Sequence, residues 1–156
     1  MHLLQSLEEL EEFRKQNINK TIVSTNGCFD ILHKGHVHYL QQSKELGDSL
    51  VVAINSDQSV KAQNKGDNRP INDQLSRAFV LSALKSVNAV YIFDEKTPEN
   101  FISALKPNIH TKGGDWKLDD LPEKKITDAY GGRIQLIEYI KGFSTTETIE
   151  KAKHAT

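Results

Sequence analysis

The sequence contains little that could stabilise or anchor a protein by means other than a folded core. It has one cysteine and four prolines in 156 residues. No apolar run approaches the roughly 18 residues that a membrane span needs. A single cysteine excludes an internal disulfide and fits a reducing compartment, and the first residues lack the basic and apolar stretches of an export signal. We therefore expect a soluble, cytoplasmic protein that does not bind membranes.

The sequence also lacks an excess of charge of either sign. It has 20 Lys and Arg residues against 21 Asp and Glu residues, a formal net charge of -1. Without a basic field no nucleic-acid partner is expected, although a local cluster of cations could still bind a nucleotide. No repeat, low-complexity tract or long linker is present. The length suits one domain with its own core.

Strand and helix patterns alternate along the chain. Strands are predicted at 21–23, 49–55, 87–93, 109–111 and 133–137, and helices at 6–16 and in the intervals between the strands. Such alternating units form a parallel sheet with right-handed crossovers. The predicted fold class is α/β, a single Rossmann-like three-layer domain with a mostly parallel sheet of about five strands. Residues 1–19 are predicted to be an N-terminal helical extension.

The most informative stretch is the loop at residues 25–36, between the first predicted strand and a helix. Its sequence is Thr-Asn-Gly-Cys-Phe-Asp-Ile-Leu-His-Lys-Gly-His. The first amides of a helix lack partners within the helix, and with the positive end of the helix dipole they attract anions. If the helix begins near Gly35, His33 and His36 both point to that opening. The spacing thus predicts a phosphate cradle with two imidazole donors.

Residue types alone leave two other interpretations of these histidines open. They could be an ordinary solvated or core pair, or two ligands of a metal ion whose other ligands lie elsewhere. Cys28 is the only cysteine, which argues against a thiolate zinc site, and no third ligand is evident.

Two further stretches follow predicted strands and could hold phosphate. In residues 112–115, paired glycines let the backbone approach a ligand and Lys112 supplies a positive charge, although a plain Gly-Gly turn is the competing interpretation. Ser144 and Glu147 form a capping box at another helix start that could hold an anion, although from the residues alone an ordinary N-cap is the favoured interpretation. Because ligands of open α/β sheets bind at the carboxyl ends of strands, these stretches are expected to lie together with the histidines.

The region between the second and third predicted strands is less distinctive. Residues 61–70 are polar and are predicted to be a surface loop with three cations. Asn72 is predicted to cap the next helix, whose apolar face is formed by Leu75, Phe79, Val80, Leu81 and Leu84. Arg77 lies off the middle of that face, where an arginine is usually solvated but can reach a cleft.

The pattern Gly27-x-Phe29-Asp30-x-x-His33-x-Gly35-His36 resembles the signature of the His-x-Gly-His nucleotidyltransferase superfamily. Later blocks are similar to the adenylyltransferase domain of bacterial heptose 1-phosphate enzymes, which make ADP-heptose for lipopolysaccharide cores or related glycans. These blocks are Asn55-Ser56-Asp57, Lys65-Gly66-x-x-Arg69-Pro70, Lys112-Gly113-Gly114-Asp115 and Gly142-x-Ser144-Thr145-Thr146. The resemblance implies that residues 1–156 are a single nucleotidyltransferase domain.

The resemblance also implies roles for individual residues. Catalytic roles fall to His33, His36, Lys65, Arg77 and Lys112. Nucleotide contacts fall to Asn26, Gly27, Cys28, Phe29, Gly35, His36, Gly113, Asp115, Ser144, Thr145 and Thr146. Sugar-phosphate contacts fall to Asp30, Asn55 and Lys65. No protein ligands for a metal are expected, because Mg²⁺ keeps several waters and would be carried by the nucleotide phosphates.

The implied substrates are ATP and a sugar 1-phosphate, most closely D-glycero-D-manno-heptose 1-phosphate. A homodimer is expected, as is cooperation with a separate heptose kinase and phosphatase, since many relatives are fused to a sugar kinase. Glycerol-3-phosphate cytidylyltransferases share much of the pattern but typically place an Arg-Thr pair where this chain has Tyr139 and Ile140. An FAD synthetase-like enzyme and a catalytically silent nucleotide-binding module are the remaining alternatives.

Overall fold

A computed structural model of the chain describes residues 2–63, 68–114 and 116–155. Its six strands form one all-parallel sheet in the order β1-β4-β3-β2-β5-β6. The strands are β1 (Leu3–Leu4), β2 (Ile22–Gly27), β3 (Ser49–Asn55), β4 (Ala89–Phe93), β5 (Ile109–Gly113) and β6 (Arg133–Ile137). The predicted α/β fold is confirmed, and the strand beyond the predicted five is the two-residue β1 at one edge.

Seven α-helices are assigned within the described residues. They are α1 (Leu7–Gln16), α2 (Lys34–Glu45), α3 (Asp57–Ala62), α4 (Gln74–Ser82), α5 (Glu99–Leu105), α6 (Pro122–Ala129) and α7 (Thr145–Lys153). A short 3₁₀ turn at Leu118–Asp120 precedes α6. No helix in the described parts of the chain is long and apolar enough to cross a membrane.

Two apolar clusters cover the two faces of the sheet. On one face, residues of α1 and α5 such as Leu10 and Phe101 pack against Val51 and Tyr91. On the other face, α2 and α4 pack against alternate residues of the same strands, for example Leu40 against Val52. Strands covered on both faces read as continuous apolar runs, as β3 does. The result is the predicted three-layer arrangement.

The N-terminal segment takes part in this core. Leu3 and Leu4 pair with Val90 and Tyr91 of β4. Leu10 and Phe13 of α1 are buried in the first cluster. The side chain of Ser6 accepts a hydrogen bond from the Glu9 amide, as its capping-box pattern predicts.

The order in which the chain adds strands to the sheet changes direction at β2. The chain proceeds from β2 to β3 and β4, and then crosses to β5 on the other side of β2. The carboxyl ends of β2 and β5 therefore flank a topological switch point, which is where open α/β sheets bind ligands. Buried hydroxyls join the elements beneath it: Tyr39 of α2 hydrogen-bonds to Thr25 (2.7 Å) and Thr111 (3.3 Å).

Three predictions about residues 57–84 were wrong. A helix, α3, continues to Ala62 and so enters the predicted polar loop. Asp73, not Asn72, caps α4, because the amide groups of Asn72 are hydrogen-bonded to Asp30 instead. Three of the five residues of the predicted apolar face of α4 are exposed, namely Leu75, Phe79 and Val80.

Candidate active site

The residues from Cys28 to His36, here called the histidine loop, connect the end of β2 to the start of α2. His33 is the N-cap of α2, and its Nδ1 accepts a hydrogen bond of 3.3 Å from the His36 amide. The two imidazole rings are stacked, with centroids 3.7 Å apart. Both rings therefore lie at the first turn of the helix, as the sequence predicted.

Burial determines the protonation state of this pair. Burial, followed by the proximity of His33, lowers the pKa of His36 to about 4. Burial also lowers the pKa of His33. Both rings are therefore neutral at pH 7 in the free protein, and they can donate N–H groups to a phosphate without bringing a positive charge of their own.

A tight turn before the histidines depends on glycine. Phe29 has a positive φ of 48°, and its ring lies 5.3 Å from that of His36. A Cβ atom on Gly27 would come within 2.9 Å of the Phe29 ring. A Cβ on Gly35 would lie 3.1 Å from the His33 ring and 3.2 Å from Phe143. The two glycines thus let aromatic rings close around the helix start.

Arg77 of α4 supports the histidine loop from below. Its side chain is 0% exposed and donates hydrogen bonds to Cys28 O (2.7 Å), Asn72 O (3.0 Å) and Asp57 Oδ1 (2.8 Å). Of the two interpretations that the sequence left open for Arg77, the solvated one does not hold, because the guanidinium is buried against two backbone carbonyls and one carboxylate. Its predicted catalytic role stays a prediction.

Asp30 ties the loop to the segment before α4. Its carboxylate accepts hydrogen bonds from the amides of Ile71 and Asn72 at 2.9 Å and pairs with Arg69 at 2.6 Å. These groups surround the carboxylate, whose side chain is 1% exposed. The structure thus shows Asp30 as an organiser of the loop, and its predicted contact with a sugar phosphate stays a prediction.

Cys28 and Asn55 lie side by side at the ends of β2 and β3. The Cys28 thiol is 3.6 Å from Asn55 Oδ1 and from Gln63 Oε1. Asn55 is buried and donates to Ser59 Oγ at 2.9 Å. Asn55 therefore lies beneath the histidine loop, in contact with Cys28, which is one of the predicted nucleotide contacts.

A polar chain connects β2 and β5 at the switch point. His110 is fully buried, and burial, followed by the nearby Lys112 charge, lowers its pKa to about 3. Its Nδ1 lies 2.7 Å from Ser24 Oγ and its Nε2 lies 3.2 Å from Asn26 Oδ1. Since Asn26 Oδ1 can only accept, the neutral ring carries its proton on Nε2. Asn26 Oδ1 also accepts from Lys112 Nζ at 3.1 Å.

Lys112 has a second partner that the sequence analysis missed. Its Nζ lies 2.7 Å from Oε1 of Glu123, a residue in the first turn of α6 that is 3% exposed. The Pro122-Glu123 pair indicates a helix start. Nothing in the sequence indicates that this carboxylate faces the end of β5.

The Ser-Thr-Thr turn, residues 142–146, lies next to the histidine loop. Ser144 caps α7 by accepting from the Glu147 amide at 3.0 Å, as predicted. Thr145 Oγ1 donates to Ile31 O at 3.4 Å, and the Phe143 ring lies 6.3 Å from that of His33. Thr146 is exposed in the first turn of α7. Two helix N-termini therefore meet at the histidine pair.

Gly113, at the end of β5, is covered by an aromatic ring. A Cβ atom there would lie 1.9 Å from the ring of Tyr139, so only glycine permits this contact. Gly114 follows the strand, near the backbone of Glu138. The backbone at the end of β5 therefore lies directly under the ring of Tyr139. Tyr139 itself is 58% exposed.

Two predicted residues, Lys65 and Asp115, lie outside the described residues. In the described parts of the chain, no group of three or more His, Cys, Asp or Glu side chains could hold a metal ion.

A cavity of about 720 Å³ opens on the other side of Arg77 from the histidine loop. Its walls come from the ends of β3 and β4 and the starts of α3 and α4. The lining residues are Ser56, Asp57, Gln58, Lys61, Asp73, Gln74, Leu75 and Asp94. Because Asp57 both lines the cavity and binds Arg77, one guanidinium separates the cavity from the carbonyl of Cys28.

Fold and site together define a class: a Rossmann-like α/β domain with a histidine pair and two helix N-termini at its topological switch point. Within that class, residues 24–153 match the family described as Cytidylyltransferase-like. The chain belongs to this family, which confirms the resemblance to nucleotidyltransferases found in the sequence.

Individual relatives agree with this membership. The chain is 50% identical over 154 residues to "Bifunctional protein HldE" of Campylobacter concisus, covering 99% of this chain and 32% of that protein. It matches a lipopolysaccharide core biosynthesis protein from Thermoplasma volcanium with 34% identity and a TM-score of 0.66, over 80% of this chain and 99% of the other. Pantoate-beta-alanine ligase from Francisella tularensis shares the fold, with a TM-score of 0.62 at 14% identity over 98% of this chain and 77% of the other. The chain spans about a third of the length of the curated relatives it matches.

Proposed function

We propose that this chain transfers the AMP part of ATP to a sugar 1-phosphate, D-glycero-D-manno-heptose 1-phosphate, and releases pyrophosphate. The observation that carries the proposal is the meeting of the N-termini of α2 and α7 at His33 and His36, since Thr145 bonds to Ile31 and Phe143 lies beside His33. Unpaired amides and neutral imidazoles at one point suit a polyphosphate. The HldE relatives and the lipopolysaccharide core protein support the sugar.

The reaction joins a phosphate oxygen of the sugar 1-phosphate to the α-phosphorus of ATP. The bond between the α-phosphorus and the bridging oxygen breaks, and pyrophosphate leaves with the electron pair. A phosphomonoester has a second pKa near 6, so the attacking oxygen is already unprotonated at pH 7 and no strong base is required. The protein must align the two phosphates and stabilise the charge that develops.

In this proposal the imidazoles of His33 and His36 and the first amides of α7 donate to the triphosphate. Lys112 and the Asn26 amide group serve the nucleotide between the ends of β5 and β2, Lys65 serves the reacting phosphates, and Asp115 contacts the nucleotide. Mg²⁺ keeps several waters and takes few protein ligands, so its ligands are proposed to come from phosphate and water. Magnesium would neutralise part of the phosphate charge.

The sugar is proposed to extend toward the cavity beyond Arg77. Amide and carboxylate groups such as Gln58 and Asp94 line it, and these groups suit the hydroxyls of a heptose. The cavity is of the size that small-molecule sites usually have. We also propose that the protein is a cytoplasmic homodimer, with the exposed apolar residues of α4 as the candidate dimer surface. A separate kinase and phosphatase would supply its sugar 1-phosphate.

A pyrophosphate-release assay tests the substrates. ATP with heptose 1-phosphate should give rapid release and an ADP-sugar detectable by mass spectrometry, whereas CTP with glycerol 3-phosphate should give little. The reverse preference would assign the chain to the cytidylyltransferases that act on glycerol 3-phosphate. Nucleotide binding without release for any acceptor, unchanged by His36→Ala, would favour a catalytically silent module.

A further inference from the structure

We infer that Glu123 is a positioning residue, whose carboxylate holds the Lys112 ammonium group in a fixed place at the end of β5. The inference rests on the proposed function, in which Lys112 serves the nucleotide. Glu123 Oε1 lies 2.7 Å from Lys112 Nζ, and the two side chains are 3% and 14% exposed. The pair is thus largely shielded from water, next to the switch point.

The hydrogen bonds of Lys112 leave its ammonium little freedom. An ammonium group has three donors. One is directed to Glu123 on α6 and another to Asn26 Oδ1 at the end of β2, 3.1 Å away. With these two acceptors on different elements, a flexible four-carbon side chain is held in one direction, and the described residues leave its third donor for a ligand.

Stability alone does not explain a carboxylate at this position. Glu123 Oε2 is buried and has no hydrogen-bond partner among the described residues. Burying a carboxylate is costly, and an apolar side chain of similar size commonly replaces a buried ion pair without loss of stability. The negative charge of Glu123 is therefore best explained by its effect on Lys112, whose ammonium group it holds in position.

The pairing also changes what Lys112 offers to a nucleotide. Together with Glu123 it has no net charge, so it acts as an oriented hydrogen-bond donor. Without Glu123, Asn26 would be the one remaining partner of the ammonium among the described residues, and the ammonium could turn away from its position. We expect the consequence in nucleotide turnover, since the acceptor sugar lies on the other side of the histidine loop in the proposal.

Four proteins test the inference: wild type, Glu123→Gln, Lys112→Met and the double variant. We expect Glu123→Gln to lower kcat/KM for ATP about 10-fold and Lys112→Met to lower it on the order of 10²-fold. The double variant should match Lys112→Met within about 2-fold, because a residue that acts only through Lys112 has no effect once Lys112 is gone. The KM for the sugar phosphate should not change.

Glu99→Gln is the matched control. Glu99 is an exposed carboxylate that, like Glu123, lies in the first turn of a helix, here α5, and it has no contact with the site. Its replacement should leave kcat/KM unchanged. If Glu123→Gln fails to fold, Glu123→Asp keeps the charge on a shorter side chain and should show a smaller loss with the same coupling to Lys112.

Two results would overturn the inference. One is full activity of Glu123→Gln; the other is a double variant whose loss is the product of the two single losses. Calorimetric ATP affinities of the same proteins should show the same coupling, and this readout does not need a correct acceptor. If ATP binds with that coupling but no acceptor reacts, the proposed reaction fails and the role of Glu123 stands. If wild type binds no ATP, both fail.

Discussion

The histidine loop and the Ser-Thr-Thr turn both lead into a helix N-cap, yet they are held in different ways. The histidine loop rests on buried groups: Arg77 bonds to its Cys28 carbonyl, and Asp30 ties it to the segment before α4. The Ser-Thr-Thr turn has one hydrogen bond of 3.4 Å to the loop, and Phe143 is 42% exposed. One half of the candidate site is thus preformed, and we expect the other half to be ordered mainly by the nucleotide.

This difference separates stability from catalysis. Residues beneath the histidine loop should affect both folding and activity, because their hydrogen bonds are buried and join β2 to α4. Residues of the Ser-Thr-Thr turn should affect nucleotide use with little effect on folding, because no residue of α7 is buried.

Arg77→Met should have the largest effect. The substitution removes the groups that donate hydrogen bonds to Cys28 O, Asn72 O and Asp57 Oδ1. Breaking such a buried network lowers the free energy of unfolding by about 3 kcal/mol. Urea unfolding should show this loss, together with a large loss of activity. Lys85→Met, an exposed lysine just after α4, is the control. A change below about 1 kcal/mol in Arg77→Met would mean that the loop does not depend on the guanidinium.

His36→Ala should remove activity without a comparable loss of stability. Loss of one donor to the developing charge lowers turnover on the order of 10²-fold. His38→Ala, on the same helix outside the histidine pair, should keep wild-type turnover. Equal turnover of His36→Ala and wild type would exclude the imidazole from the reaction.

Stability should fall as the pH falls from about 6.5 toward 4. The pKa values of His36 (about 4) and His110 (about 3) lie below the ordinary value of 6.5, so the unfolded state binds more protons in this window. Each histidine contributes a slope of up to about 1.4 kcal/mol per pH unit. Well above pH 6.5 both histidines are neutral in the folded and the unfolded state, so their contribution to stability no longer changes with pH. Urea midpoints from pH 7 to 4.5 measure it, and His110→Gln should reduce the slope; a stability independent of pH would contradict the burial of these rings.

Ser144→Ala should have the smallest effect on folding. Loss of an N-cap costs about 1 kcal/mol, here confined to the exposed α7, so amide exchange in α7 should become faster while global unfolding changes little. The KM for ATP should rise several-fold. Ser6→Ala removes the equivalent cap of α1 and should leave this KM unchanged. A similar KM change in both variants would refute a role for the turn in nucleotide binding.

Much of the fold could be predicted because local patterns decide it. The strand at 133–137 and the strand at 49–55 agree with β6 and β3 residue for residue, and Ser6 and Ser144 cap the helices that their sequence context indicates. The two-residue β1 was missed, since two leucines have no period of their own and pair only because β4 leaves an open edge.

The support of the site could not be predicted, because it depends on partners distant in the sequence. Arg77 meets Cys28 across 49 positions, and no periodicity indicates that α4 turns its arginine inward and Phe79 outward. Glu123 lies in a helix start that looks like any other until α6 is placed against the end of β5. The groups proposed to contact the reacting phosphates are visible as motif residues, whereas the groups that hold them in place become visible only in three dimensions.

An NMR titration of the protein with an ATP analogue that has a methylene group between its α- and β-phosphates would show most directly whether one triphosphate contacts both helix starts. We predict that the amides of residues 34–36 and of residues 144–147 shift together along one binding curve, because one triphosphate contacts both helix starts. Shifts confined to one of these segments, or two different binding curves, would contradict the account.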